Sequence, residues 1–213
     1  MSSARGGGRG KRPERAAGIP AVLLLLTVLI SPLHASAGPR YDKETGTIVL
    51  AEPMMAALRR FNPRFKPWAL KDYAPTILER FAGDEAPGPP FAVITDANRD
   101  GAPDVILDGH DGARSLLLAV VSDRSAYEVV VIEEKAKVDP AVLENEFEGK
   151  KEKGLAAYLW PVNDDKETGD RVEVFIRLFP QQTNAAGELV NDGGFVEYSY
   201  WKGRFFISGE FVA

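Results

Sequence analysis

The sequence predicts a mainly β (α+β) fold, built as a single antiparallel β domain with a short helical N-terminal segment. β-branched and aromatic residues concentrate in short runs after residue 90, and Gly, Pro, Asn and Asp separate those runs. The two helical patterns both fall before residue 90. About 176 residues follow the expected signal segment, the size of one domain.

Residues 1–37 are predicted to be a secretory signal peptide. Basic residues precede an apolar stretch from Ile19 to Ile30, and Ala35-Ser36-Ala37 then gives the small-x-small pattern of a cleavage site. The apolar run is shorter than the roughly 20 residues needed to span a bilayer, so we expect cleavage rather than a membrane anchor. We therefore expect an exported protein, periplasmic or extracellular, with no membrane span after cleavage.

Residues 38–90 are predicted to form an N-terminal cap of helical and extended segments. The stretch 38–51 looks extended. Proline at the first helical position predicts short helices over Pro53–Arg60 and Pro75–Phe81. The composition of Ala82–Pro90 (AGDEAPGPP) is typical of a linker.

Residues 91–213 are predicted to form the antiparallel β domain. Gly109–Gly112 is expected to be a turn, and Lys202-Gly203 suits a two-residue hairpin turn. A short helical turn is expected at Asp139-Pro140, followed by a charged loop from Glu144 to Lys153. The predicted strands are Phe91–Thr95, Asp104–Asp108, Ser115–Val121, Tyr127–Glu133, Leu155–Trp160, Arg171–Phe179, Phe195–Trp201 and Arg204–Ser208.

The composition excludes several classes of function. The chain has 26 Lys and Arg against 31 Asp and Glu; without the five basic residues and one acid of the signal, the remainder has a net charge near −9. Nucleic acids and anionic lipid surfaces are poor partners for such a body. The chain has no cysteine, and His110 is the single histidine after residue 37. Cys/His zinc sites, multi-histidine iron or copper sites and cysteine nucleophiles are thereby ruled out.

The most specific motif is the loop Asp96–Asp104 (DANRDGAPD). Oxygen-bearing side chains recur at every second position, a glycine follows the third, and a carboxylate closes the run. This pattern predicts a structural Ca²⁺ site, because Ca²⁺ takes six to eight oxygen ligands. We expect Gly101 at a sharp turn that tolerates no Cβ. The predicted ligands are the side chains of Asp96, Asn98, Asp100 and Asp104 and the backbone carbonyl of Ala102.

Two alternative interpretations of this motif, a solvated acidic hairpin and an EF-hand, fit the pattern less well. A solvated acidic hairpin, partly neutralised by Arg99, is less consistent with the full alternation and the glycine. An EF-hand is incomplete, since its twelfth position would be Leu107 rather than Glu and the flanking segments are predicted strands.

The segment Phe91–Glu133 resembles one blade of the FG-GAP or VCBS repeats, the calcium-loop repeats of integrin-type β-propellers and secreted bacterial proteins. That resemblance implies calcium ligation by the loop side chains named above and a turn at Gly101. The loop occurs once, Pro90-Phe91-Ala92 replaces the usual Phe-Gly opening, and a propeller needs about four to eight blades. We therefore expect a single blade-like unit and not a full propeller.

Three weaker features have simpler explanations. A second acidic cluster is better explained as a solvated turn than as a cation site. His110 beside Asp111 suits a surface turn better than a general base or a group supporting the calcium loop. Aromatic residues of the last hairpin are expected to close the core rather than to form a platform for sugars or a protein. The cluster is Asp164, Asp165, Glu167 and Asp170; the aromatics are Tyr198, Tyr200, Trp201, Phe205 and Phe206.

Two functions remain open at this stage. The preferred one is a non-enzymatic exported domain with one structural Ca²⁺, which binds a protein or glycan partner of the cell envelope or exterior and does not bind nucleic acid. The alternative is a calcium-stabilised secreted hydrolase that uses a pair of carboxylates, for example on glycans. The alternative requires a concave pocket holding two acids of unlike pKa.

Overall fold

The computed structural model describes residues 38–83, 87–123, 126–162, 172–180, 182–183, 186–191 and 193–212. The predicted signal peptide and the predicted second acidic cluster lie outside these described residues. Within the described ranges, none of the helices has the length and apolar character required to cross a membrane.

The N-terminal stretch is extended, as predicted, and its two strands pair in a small hairpin. Strands β1 (Arg40–Asp42) and β2 (Thr47–Val49) pair antiparallel. The Asp42 side chain accepts the backbone N–H of Glu44 at 3.0 Å, and Gly46 has φ +63°. Both features are typical of a tight turn and join the two strands of the hairpin.

Both predicted helices are confirmed. Helix α1 spans Glu52–Phe61 and helix α2 spans Pro75–Phe81, each with proline in its first turn. A two-residue strand, β3 (Lys66–Pro67), and a 3-10 turn at Leu70–Asp72 lie between them. The helices bury Met54, Leu58 and Ile77 on the side that faces the sheet.

A five-stranded antiparallel sheet forms the centre of the molecule. Its strands run in the order β3-β5-β6-β7, and β4 also pairs with β5. Because β3 belongs to the segment predicted as a cap, the cap and the β domain share this sheet. The further strands are β4 (Ala92–Thr95), β5 (Asp104–His110), β6 (Arg114–Asp123) and β7 (Ala126–Ala136).

The charged segment predicted as a loop is a hairpin of strands β8 (Glu144–Phe147) and β9 (Lys150–Lys153). Glu152 is buried within it, pairs with Lys150 at 2.8 Å and accepts the backbone N–H of Thr76 at 2.8 Å. The charged composition therefore gave no indication of strand β9, in which the Glu152 carboxylate accepts a backbone N–H from the first turn of α2. The segment before it, Asp139–Val142, forms a turn and not a helix.

A second antiparallel sheet has the order β10-β11-β14-β15. A separate short pair, β12 with β13, precedes its last hairpin. In the turn of that hairpin, Lys202 and Gly203 have φ +47° and +82°, which confirms the predicted two-residue turn. The strands are β10 (Tyr158–Pro161), β11 (Val172–Phe179), β12 (Gln182–Thr183), β13 (Leu189–Asn191), β14 (Gly194–Trp201) and β15 (Arg204–Val212).

The central sheet is covered on both faces, by the helices on one side and by the second sheet on the other. Along β6, Leu116, Leu118 and Val120 pack in the cluster that contains the helices. Leu117 and Ala119 point the other way, into the cluster shared with the second sheet. A strand buried on both faces carries a continuous apolar run rather than an alternating one. The mainly β, antiparallel fold class with two helices is confirmed.

The inner face of the last hairpin closes the core between the two sheets, as predicted, through Tyr198, Tyr200 and Phe205, whereas Trp201 is 43% exposed and lies outside the core. Tyr198 is buried and stacks on Phe175 with ring centroids 4.7 Å apart. Tyr200 and Phe205 pack against the same cluster.

We predict that Gly109→Ala destabilises the fold, because β3 crosses close to β5 at this residue. A Cβ at Gly109 would lie 2.3 Å from the carbonyl oxygen of Lys66 and 2.9 Å from Cα of Pro67. Displacing backbone in a packed region costs about 1–3 kcal/mol. Thermal unfolding should show a melting temperature lower by about 2–4 °C for each kcal/mol lost.

The matched control is Gly88→Ala, whose added Cβ would make an ordinary contact of 3.6 Å with the carbonyl of Ala92. Its melting temperature should stay near that of the wild type. Equal melting temperatures for the two variants would contradict the close approach of β3 to β5.

Candidate metal centre

The predicted calcium loop connects β4 to β5, which pair directly below it through Thr95 and Asp104. Two residues of the loop take left-handed backbone conformations, Arg99 at φ +57° and Gly101 at φ +85°. The turn predicted at Gly101 is confirmed, and because a Cβ there would meet nothing within 4 Å, the constraint on a side chain is the backbone conformation and not a lack of space. The positive φ is what favours glycine at this position.

The loop brings three of the predicted ligands, Asp96, Asn98 and Asp100, around the same stretch of backbone. The two carboxylate oxygens of Asp96 accept the N–H groups of Asp100 and Gly101 at 3.0 and 2.9 Å. Asn98 Oδ1 accepts the N–H of Asp100 at 3.1 Å, and Asp100 Oδ1 accepts that of Ala102 at 2.9 Å. The side-chain oxygens therefore turn toward the backbone of the loop, at a position open to solvent.

Ser122, at the end of β6, holds two of these side chains and was not predicted from sequence. Its backbone carbonyl accepts Asn98 Nδ2 at 2.6 Å, which leaves the amide oxygen of Asn98 facing the loop. Its hydroxyl donates to the carboxylate of Asp100, at 2.9 and 2.8 Å from the two oxygens. Ser122 lies outside the motif, so the motif's spacing carries no signal for it.

Asp104 anchors the loop from below. It is fully buried, and its two oxygens accept the backbone N–H groups of Ala97 at 2.8 Å and Ser122 at 2.7 Å. Burial raises the pKa of Asp104, and these hydrogen bonds oppose that rise. Asp104 thus ties the loop to both β5 and β6 through its carboxylate.

The donor set fits a hard cation by its chemistry. Carboxylate, amide and carbonyl oxygens are the ligands that Ca²⁺ prefers. Within the described residues, no three His, Cys, Asp or Glu side chains already form a group that could hold a metal ion. Two loop carboxylates and the Asn98 oxygen gather in the loop, whereas Asp104 is turned toward backbone N–H groups. The ligand assignment, including Asp104 and the Ala102 carbonyl, stays a prediction.

His110 lies far from the loop. It ends β5, whose first residue is Asp104, so about 20 Å of extended chain separates the two. Its Nδ1 accepts the N–H of Gly112 at 3.2 Å, and its ring packs against Trp68 in a tilted arrangement with centroids 4.5 Å apart. Burial lowers the pKa of His110, with Lys137 contributing. The weaker alternative, in which His110 supports the calcium loop, is therefore excluded, and the preferred position beside a turn agrees with His110 being the last residue of β5.

Asp111 builds the turn after β5 rather than orienting His110. Its carboxylate accepts the backbone N–H of Ala113, both Nε and a terminal nitrogen of Arg114, and the side-chain amide of Asn62. The hydrogen bond from Ala113, joined by those from Arg114 and Asn62, lowers the pKa of Asp111. A carboxylate so fully engaged is a structural group.

A buried charge cluster, defined as Asp108, Glu133, Arg177 and Tyr198, joins the two sheets. Arg177 of β11 donates to Asp108 at 3.0 Å and to Glu133 at 2.9 Å. Leu117 lies between the two acids, because it pairs with Asp108 on one side and Glu133 on the other. The Tyr198 hydroxyl donates to Glu133.

The two acids of this cluster have unlike pKa values. Burial raises the pKa of Asp108, and Arg177 opposes the rise. Burial also acts on Glu133, but hydrogen bonds from Lys135 and Tyr198 outweigh it and lower the pKa of that carboxyl. Sequence reasoning missed the cluster, because its members are spread over four strands and carry no motif.

The space beside this acid pair is too small for a substrate. Its cavity measures about 20 Å³, which is room for about one water molecule. A larger cleft of about 230 Å³ lies beside the calcium loop, where Asn98 and Tyr200 face Asp123 and Glu128. Both of those acids are exposed to solvent, whereas the general acid of a glycosidase is a carboxyl sheltered from water.

We predict that Arg177→Met is strongly destabilising near neutral pH, by about 3–5 kcal/mol, because it leaves Asp108 and Glu133 without their shared cation. Without Arg177 the folded-state pKa of both acids rises. A carboxyl group whose pKa is higher in the folded state than in the unfolded state stabilises the fold at pH values below its unfolded-state pKa. That stabilisation is lost as the pH rises through its folded-state pKa. Urea unfolding should therefore show a smaller deficit at about pH 5 than at about pH 7.

The control is the double variant Arg177→Met with Asp108→Asn, which removes the carboxylate left without a cation, since Glu133 keeps Lys135 at 2.8 Å, and retains the oxygen that accepts Trp68 Nε1. It should recover part of the lost stability at neutral pH. A deficit that is independent of pH and unaffected by the second substitution would show that Arg177 acts through packing alone.

Comparison with protein-family models, curated proteins and solved structures finds no match for this chain. The likeness to an FG-GAP or VCBS repeat therefore depends on the loop residues Asp96–Asp104 and their flanking strands, and stays a prediction.

Proposed function

We propose that this chain is an exported, non-enzymatic binding domain stabilised by one structural Ca²⁺ in the loop Asp96–Asp104. The observation that carries the proposal is the arrangement of Asp96, Asn98 and Asp100, whose side-chain oxygens face the same stretch of backbone. The left-handed conformation of Gly101 makes that arrangement possible.

The position of the loop supports a structural role for the ion. The loop connects β4 and β5, and Ser122 links it to β6. An ion that binds only the folded state adds RT ln(1 + [Ca²⁺]/Kd) to the free energy of unfolding. Calcium in this loop would therefore stabilise three strands of the central sheet.

The setting suits a weak extracellular calcium module. The predicted signal at residues 1–37 directs the chain to a compartment outside the cytoplasm. Extracellular modules bind Ca²⁺ with dissociation constants of about 10⁻⁴–10⁻³ M. The loop offers three carboxylates and one amide, and both oxygens of Asp104 already accept backbone N–H groups. This donor set fits the weak affinity of an extracellular module better than the tight affinity of a cytosolic calcium buffer.

Binding is better supported than hydrolysis. The acid pair with unlike pKa values is clamped by Arg177 beside a cavity of about 20 Å³. His110 has its Nδ1 engaged by Gly112. These groups support the structure and offer no substrate-sized space, so we place function on the outer surface of the domain.

We predict that Ca²⁺ raises the melting temperature of the chain from residue 38 to 213. At about 10 mM Ca²⁺ and a Kd of about 10⁻⁴ M, the gain is about 2.7 kcal/mol, which corresponds to a rise of about 5–11 °C for a domain of this size. Differential scanning calorimetry with Ca²⁺, Mg²⁺ and chelator measures it. The rise should be absent in Asp100→Ala, because this variant removes a loop carboxylate.

Glu144→Ala is the charge-matched control, since Glu144 is exposed on β8 and makes only a long, 3.9 Å ion pair with Lys151. It should keep the full calcium response. The absence of any wild-type shift at millimolar Ca²⁺, or an equal shift in Asp100→Ala, would contradict the proposal.

A further inference from the structure

The outer tip of the last hairpin carries a concave pocket of about 570 Å³, a volume in the usual range for small-ligand sites. Its lining combines aromatic rings with positive charges. The described lining residues are Trp201, Lys202, Arg204, Phe205 and Phe206. We call this feature the hairpin-tip pocket.

The charges and the rings lie side by side. Lys202 Nζ is 4.4 Å from the centroid of the Trp201 ring, within the range of a cation–π interaction. Arg204 pairs directly with Trp201 across the hairpin, so their side chains share one face. Phe206, two residues along β15, lies on that face as well.

The pocket is built on a rigid support. Lys202 and Gly203 occupy the tight two-residue turn, with both φ angles positive. Phe205 is in contact with the core, since its ring centroid is 5.0 Å from that of Tyr200 and 6.3 Å from that of Phe175. Little ordering is then needed when a ligand binds, which favours affinity.

The described part of the pocket lining is opposite in charge to the protein. The whole chain carries a net charge of −5, yet the described lining residues of the pocket include two cations and no carboxylate. A ligand that suits the described lining is anionic and also presents an apolar ring face to Trp201. A free phosphate supplies only the charge, and a neutral sugar supplies only the ring face.

We propose that the hairpin-tip pocket binds a carboxylate-bearing saccharide, a uronic-acid unit of an acidic glycan. The ring packs on the exposed Trp201, and the carboxylate pairs with Lys202 and Arg204. A concave pocket larger than one sugar ring can accommodate several units of a saccharide chain. A flat lipid surface would fit it less well, because it would contact only the side chains that protrude around the pocket. This inference names a ligand for the proposed binding role and does not depend on the calcium loop.

The test is isothermal titration calorimetry with trigalacturonate, using the folded chain from residue 38 to 213. Maltotriose, a triglutamate peptide and vesicles containing anionic phospholipid are the comparison ligands. We expect saturable binding of trigalacturonate and no binding of the three comparison ligands. Trp201→Ala and the pair Lys202→Ala with Arg204→Ala should each weaken it by about tenfold or more, as expected for residues at the centre of a binding site.

The control pair is Lys71→Ala with Lys153→Ala, which removes the same charge from exposed sites elsewhere. It should bind as the wild type does. No binding, an equal loss in the control pair, or equal binding of triglutamate or vesicles would overturn the proposal. Asp100→Ala should retain trigalacturonate binding, so failure here with an intact calcium response leaves the proposed calcium site standing.

Discussion

Burial of the central sheet on both faces is the constraint on which the rest of the structure depends. Helices α1 and α2 cover one face and the second sheet covers the other. Polar groups on β5 must then find partners inside the molecule, because a buried polar group without a hydrogen bond is costly. Asp104 and Asp108, both on β5, meet that demand in different ways. Asp104 bonds backbone N–H groups of the loop and β6, and Asp108 bonds Trp68 and Arg177.

These two carboxylates stabilise different parts of the molecule from the same strand, β5. At its start, Asp104 fixes the base of the loop that we propose for calcium, so an ion bound there acts on the central sheet. Farther along, Asp108 joins Arg177 and Glu133 to hold the second sheet against the first. The second sheet in turn positions the last hairpin, whose inner face closes the core and whose tip carries the aromatic and cationic pocket. The binding role that we propose would therefore lie in a different part of the domain from the contacts that stabilise it.

The sequence was sufficient for features that depend on local pattern. Helix α2, the Lys202-Gly203 turn and most strands follow from proline positions, turn residues and apolar runs. Features that depend on distant partners were not predictable. The β8–β9 hairpin was hidden by its charged composition, because the buried role of Glu152 depends on Thr76 of α2. Ser122 and Arg177 carry no motif, since their importance comes from residues that are far away in the chain. The turn at Gly101 was predictable because it belongs to a local pattern, the regular spacing of polar residues in one short segment, and metal ligation by that segment stays a prediction.

The most direct measurement of the central claim is a Ca²⁺ titration followed by backbone amide NMR. The amides of Asp100, Gly101 and Ala102 donate to the loop side chains, and that of Ser122 donates to Asp104. The account predicts residue-specific shifts confined to these amides and their neighbours, which saturate at one ion per chain. Amide shifts that are absent at millimolar Ca²⁺, or that are spread over acidic surface residues without saturation, would contradict a calcium site in this loop.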